Sequence, residues 1–285
     1  MRSNSIVPAW ISAALAAACV LPWPSLAGGQ PISTKRGEST FTAAQIRDWR
    51  KQLTELSQVP RSTPEGWSKS RVEPVKLVRV FPELGVRKGY VLRAYQFKEE
   101  ANANGFVWAL PEEAEFPEPA DCPKLESHFL HPPKPFDALD DVMEAIDGDG
   151  SAVSYLHASL LRRALREFGG GWHGISWGTH AVLDDSPWRQ GGEDDEDSPM
   201  TRPMSQPREW KWIAAQPKSW SPQVRWDEKR VVVSFYTYTA LAKVGQDGDV
   251  EKERILLHTD TYRRGKYRAL TSEKKLAEGP NALAF

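Results

Sequence analysis

The chain has 285 residues, 40% of them hydrophobic and 26% charged, with 37 Lys and Arg against 38 Asp and Glu and two Cys. A net charge of −1 excludes a dedicated nucleic-acid binder, whose surface carries a strong basic excess. The apolar fraction excludes intrinsic disorder, and two Cys cannot build a disulfide scaffold.

At the N-terminus, Arg2 precedes an apolar run from Ile6 to Leu21, and Ser25 and Ala27 stand at −3 and −1 of a cleavage point. This pattern predicts a cleaved secretory signal over 1–27, because the run is shorter than the ~20 residues that span hydrocarbon. The expected product is secreted or periplasmic and does not span a membrane. Ala16-Ala17-Ala18-Cys19 resembles the lipobox of bacterial lipoproteins, which implies a lipid anchor on Cys19. Cleavage after Ala27 discards that residue and leaves Cys122 as the one thiol.

Residues 28–40 are small and polar and predict a flexible leader, followed by a single α+β domain over 41–285. Ala43, Ile46, Trp49, Leu53 and Leu56 recur at three- and four-residue steps, the spacing of one helix face, with Thr40 or Thr42 as N-cap. Residues 75–81, 90–97 and 106–110 are β-rich and read as strands, the last two as an antiparallel hairpin. Seven prolines within 111–136 predict an irregular loop. Residues 136–146 and 151–168 read as a central helix pair, broken at Asp147-Gly-Asp-Gly150 and stopped by Gly169-Gly170-Gly171. An acidic insert follows at 184–209, and Lys229–Ala240 and Glu253–Tyr262 form a second, long-looped hairpin. The expected fold is α+β, a mainly antiparallel sheet with an N-terminal helix and a central helix pair.

The segment Trp172-His173-Gly-Ile-Ser176-Trp177-Gly178-Thr-His180 concentrates polar and aromatic side chains directly after a helix stop. Glycines there allow the backbone to turn and approach a ligand. Gly174-Ile-Ser176-Trp-Gly178 has the form G-x-S-x-G and resembles the nucleophile elbow of the α/β-hydrolase family. That resemblance implies Ser176 as nucleophile, His258 as the base and Asp227, Asp247 or Asp249 as the acid. The surrounding chain departs from the family in lacking an alternating βαβ pattern. Within the segment itself, His173, Ser176 and His180 are the candidate catalytic group. His173, His180 and Asp184 are candidate ligands for zinc or another divalent metal, if the chain turns at a glycine. A protein without any cofactor is the simpler expectation.

Two further features suggest binding. Trp172, Trp177, Trp210 and Trp212 belong to a tryptophan-dense stretch, and exposed Trp stacks on sugars or fills partner pockets. Arg263, Arg264 and Lys266 lie in a run of four cations and two Tyr suited to an anionic polymer or lipid headgroups. His258 and Asp260 share one face of their strand. Taken together, the residues point to an exported, non-catalytic binding or structural protein of the cell envelope or the extracellular space, with a glycan or an envelope protein as its partner. The alternative is a small secreted hydrolase, serine- or metal-dependent, centred on 173–184.

Overall fold

The computed structural model describes residues 32, 35–60, 62–100, 102–122, 131–171, 176–184, 188, 207–240 and 252–280. Residues 1–27, where an export signal is expected, most of the acidic insert, Trp172 and His173 lie outside the described residues. In chain order the elements are β1 (Gly37–Thr40), α1 (Ala43–Ser57), β2 (Gly66–Lys69), α2 (Val75–Val78), β3 (Leu84–Val86), β4 (Tyr90–Glu99) and β5 (Asn102–Pro111). They continue with β6 (Ile146–Gly148), α3 (Ala152–Arg166), β7 (Ala181–Leu183), β8 (Lys211–Trp212), β9 (Gln223–Trp226), β10 (Arg230–Thr239), β11 (Arg254–Arg263) and β12 (Ala269–Glu278).

A seven-stranded antiparallel sheet runs β1-β9-β10-β11-β12-β8, with β7 pairing beyond β9 on the same edge of β10. A smaller antiparallel sheet runs β2-β4-β5, and β3 pairs with β6. The architecture is therefore α+β and mostly antiparallel. Both hairpins arise from local alternation. The tight turn of β4–β5 puts Glu100 at φ 52°, and β10–β11 pairs without a break from Arg230↔Arg263 to Thr239↔Arg254.

Several expectations are corrected. Residues 37–40 are not leader but the edge strand β1, held in register against β9. Residues 136–146 do not form a helix. Asp141 caps a short 3-10 turn at Val142–Ala145 by accepting from the Met143 N–H at 3.0 Å, and Ile146–Gly148 is drawn into a strand by β3. Residues 75–78 form the short helix α2 rather than a strand. Pro74 starts it with helical φ and ψ, and Leu77 and Val78 are buried in the core. The strand β12 carries almost no inward apolar alternation, so its pairing with β11 leaves no mark in the sequence.

α1 begins at Thr42, whose side chain accepts from the Gln45 N–H while the Gln45 side chain accepts from the Thr42 N–H, a reciprocal capping box. α3 is capped by Ser151 and packs against β5 of the small sheet and against β9 and β10 of the large one. It is buried around nearly its whole circumference, so every polar group on it requires a partner. The partners are Tyr267 for Ser154, Glu83 for His157, Tyr262 for Ser159, Asp141 for Arg162 and Asp260 for Arg163. His157 is thus a core residue stacked on Phe81. Cys122 is buried too, against the Tyr95 hydroxyl.

Two apolar cores flank the large sheet. One joins α1, α2 and α3 to both sheets; the other, on the opposite face, is built from Leu183, Trp210, Trp220, Tyr238 and Ile255 with Trp188 and Trp212 at its edge.

Candidate functional site

Alternation along β11 sets the site. His258, Asp260 and Tyr262 point to the face that carries α3, and all three are buried. Arg163 reaches down from α3 and holds Asp260 with two nitrogens, at 2.5 and 3.1 Å. The Asp260 side chain has no exposed surface, and this bidentate pairing is what makes an ionised carboxylate tolerable there. Tyr262 meets Ser159 at 2.7 Å, and burial pushes its phenol well above the ordinary range.

His258 stands at the floor of an open cleft of about 540 Å³ lined by Arg162, Arg163, Arg166, Glu167, Ser176, Trp177, His180, Thr271, Ser272 and Glu273. Burial, followed by the charges of Arg163, His180 and Arg50, lowers its pKa to about 2, so the imidazole is neutral at physiological pH. The half-exposed Glu273 carboxylate, 3.5 Å from Nδ1, does not offset this. It does favour the single ring proton on Nδ1, which leaves Nε2 to accept from the Thr237 hydroxyl at 2.8 Å. The Thr237 oxygen in turn accepts from His180 Nδ1 at 3.1 Å. One threonine thus locks two buried imidazoles in fixed orientations, their ring centroids 5.4 Å apart.

From Ser176 onward the described chain takes a different form from a nucleophile elbow. The Glu167 carboxylate, at the C-terminal end of α3, accepts from three successive backbone N–H groups, those of Ser176 (2.6 Å), Trp177 and Gly178 (2.9 Å). Arg50 of α1 closes the other end by donating to the carbonyls of Trp177 (2.8 Å) and His180, and its guanidinium lies 4.3 Å over the Trp177 ring. A carboxylate on the donors and a guanidinium on the acceptors clamp the 3-10 turn Trp177–Thr179. Burial lowers Arg50 to about 10, which leaves it charged, and pushes the Glu167 carboxyl above its ordinary range against the pull of the three N–H groups and Arg50.

The candidate catalytic and metal residues are placed as follows. Ser176 is exposed, has an unstrained φ of −120° and opens a three-residue 3-10 turn, whereas the hydrolase family needs a strained strand-to-helix turn. His180 lies in the same cleft but is bonded through Nδ1 to Thr237. Asp184 turns away to accept the Ala43 N–H at 2.7 Å, at the start of α1. Among the described residues no group of three His, Cys, Asp or Glu is placed to hold a metal ion. His173, the third member of both sets, lies outside the described residues.

The candidate binding residues separate into three groups. Trp210 is buried at 5% exposure and Trp212 is half-buried; both belong to the second core and offer no open platform. Trp177 walls the cleft, and Trp172 lies outside the described residues. Arg263 and Lys266 are exposed and Arg264 is partly so, at the turn between β11 and β12. Sequence reading missed Arg50, Arg163, Glu167 and Thr237, which lie on three segments, α1, α3 and β10, and meet only in the folded chain. No protein-family model, curated protein or solved structure matches this chain.

Proposed function

We propose that the chain is an exported binding protein without catalytic activity, acting in the cell envelope or outside the cell, and that the cleft over His258 receives its ligand. The observation that carries this reading is the commitment, among the described residues, of the Ser176–Gly178 backbone donors and of the His180 and His258 rings. The three N–H groups that would stabilise an oxyanion already hold Glu167, and the His258 and His180 rings hold Thr237 between them. Such a site is stiff, which favours recognition over proton transfer. Its lining of hydroxyls, Arg166, Glu273 and the Trp177 ring suits a glycan, whose hydroxyls need both donors and acceptors beside an aromatic wall. The export signal at 1–27 supports a ligand outside the cytoplasm.

A glycan array probed with the purified protein tests the reading. A retained glycan should be lost on Trp177→Ala and weakened at least about tenfold on Arg166→Ala paired with Ser272→Ala. Binding that survives all three changes moves the ligand away from this cleft.

One observation favours the hydrolase instead: Ser176, His180 and His258 line the same cleft. Covalent labelling of Ser176 by a fluorophosphonate, abolished by Ser176→Ala, would establish it and retire the non-catalytic reading.

A further inference from the structure

A second surface, independent of the cleft, lies at one end of the large sheet. There the β9–β10 turn, the β11–β12 turn and the segment leading into β1 come together around an open groove of about 1100 Å³. Seven cations line it, from Lys35 and Arg36, Lys229 and Arg230, and Arg263, Arg264 and Arg268, against two acids, Asp227 and Glu228. Arg230 is 3.4 Å from Asp227, Lys35 is 3.9 Å from Glu228, and Arg268 pairs with Glu144 at 2.5 Å. Arg36, Lys229 and Arg263 have no ion-pair partner among the described residues.

Two features set this end apart from an ordinary solvated face. First, Arg230 and Arg263 are directly opposed in the β10–β11 ladder, a like-charge pair that works against the hairpin until an anion lies across it. Second, the turns are held rigidly. The Tyr155 hydroxyl accepts from the Gly265 N–H at 2.7 Å, and the Tyr267 hydroxyl accepts from Gly150 at 2.9 Å and meets Ser154 at 2.8 Å. Tyr267 lies so close to Gly148 that a Cβ there would be 2.4 Å from its hydroxyl. The Arg264 N–H is bonded to the Lys229 carbonyl, and the Arg264 guanidinium to the Ile32 carbonyl, so all three segments are tied together.

An exposed leucine lies beside these cations. Leu270 is 81% exposed on β12, at the rim of the groove. Cations alone suit any polyanion; cations around one projecting apolar side chain suit a bilayer, where the charges meet phosphodiester headgroups and the leucine enters the acyl boundary. We propose that this end of the sheet docks on an anionic phospholipid surface.

Co-sedimentation of residues 28–285, which keep every element described above, with vesicles tests this. The apolar run at 6–21 is left out because it would enter a bilayer unaided. Binding should occur to equimolar phosphatidylglycerol and phosphatidylcholine, be absent with phosphatidylcholine alone, and fall steeply at high salt. The triple variant Arg36→Glu, Lys229→Glu, Arg263→Glu, all at exposed positions, should lose about tenfold or more, with an unchanged circular dichroism spectrum as the check on folding. Leu270→Ser should lower vesicle binding roughly threefold while leaving retention on soluble polyphosphate untouched. Failure to bind charged vesicles, or equal binding to neutral ones, overturns the proposal. Indifference of vesicle binding to Leu270→Ser, with polyphosphate retention lost in the triple variant, replaces the membrane with a polymeric anion.

Discussion

The cleft and the basic end of the sheet use the same residue types to opposite effect. In the cleft, Arg163 grips Asp260, Arg50 and Glu167 close on one turn, and two histidines share a threonine. At the sheet end, Arg36, Lys229 and Arg263 stand in water with no carboxylate partner among the described residues, and two arginines face each other across a ladder. Paired charges in low dielectric fix geometry and are costly to disturb; unpaired charges in water contribute little to folding and remain available to a partner.

Substitutions should divide along that line. The largest effects belong to the buried positions. Arg163→Ala strands the Asp260 carboxylate, which has no exposed surface, and should cost about 3–5 kcal/mol in urea unfolding. Trp210→Ala should cost a similar ~3–5 kcal/mol through the cavity left in the second core, and a loss below ~1 kcal/mol would mean that this tryptophan is not a core residue.

Glu167→Gln comes next. It weakens three N–H bonds and uncouples the turn from α3, for an expected loss of about 1–3 kcal/mol. Hydrogen exchange at Ser176, Trp177 and Gly178 should quicken, and unchanged exchange there would break the idea of a clamp.

Acid pH gives a graded effect, small just below pH 6.5 and growing as the pH falls further. Folded His258 takes up no proton until about pH 2, whereas the unfolded imidazole protonates near 6.5. The unfolded chain therefore binds the extra proton between those values, so stability present above pH 6.5 is lost as pH falls, at up to about 1.4 kcal/mol per pH unit. Glu83, held below its ordinary 4.5 mainly by its hydrogen bond from His157, adds its loss only at lower pH. His258→Gln should flatten the decline of Tm just below pH 6.5 and leave the later one in place.

The smallest effect is expected at the sheet end. Arg263→Ala should change stability by no more than about 0.5 kcal/mol, with a slight gain if relief of the Arg230 repulsion dominates. A loss comparable to that of Arg163→Ala would erase the distinction between the two regions.

Parts of this arrangement were legible from sequence. Local patterns reported the β4–β5 and β10–β11 hairpins, the Thr42 cap, the shared face of His258 and Asp260, and the cations at 263–266. Residues 136–146 misled because their helical spacing is outweighed by the Asp141 cap and by the pull of β3 on Ile146–Gly148. Trp210 misled because composition counts aromatic rings without showing which side of a sheet they occupy. The turn at Ser176–Gly178 was not legible because Gly and Ser permit many turns, and Glu167 and Arg50 select this one from outside it.

By itself the sequence determined what neighbouring residues decide among themselves: a helix cap, alternating strands, a cationic turn. Only the tertiary structure decided that α3 is covered by two sheets, so that each of its polar side chains needs a partner from a distant strand or loop. It likewise decided that two turns and the segment leading into β1, far apart in the chain, meet at one end of a sheet. Hydrogen bonds and charges act over a few ångströms in space, and the separation of their partners along the chain, 97 residues for Arg163 and Asp260, leaves no local trace.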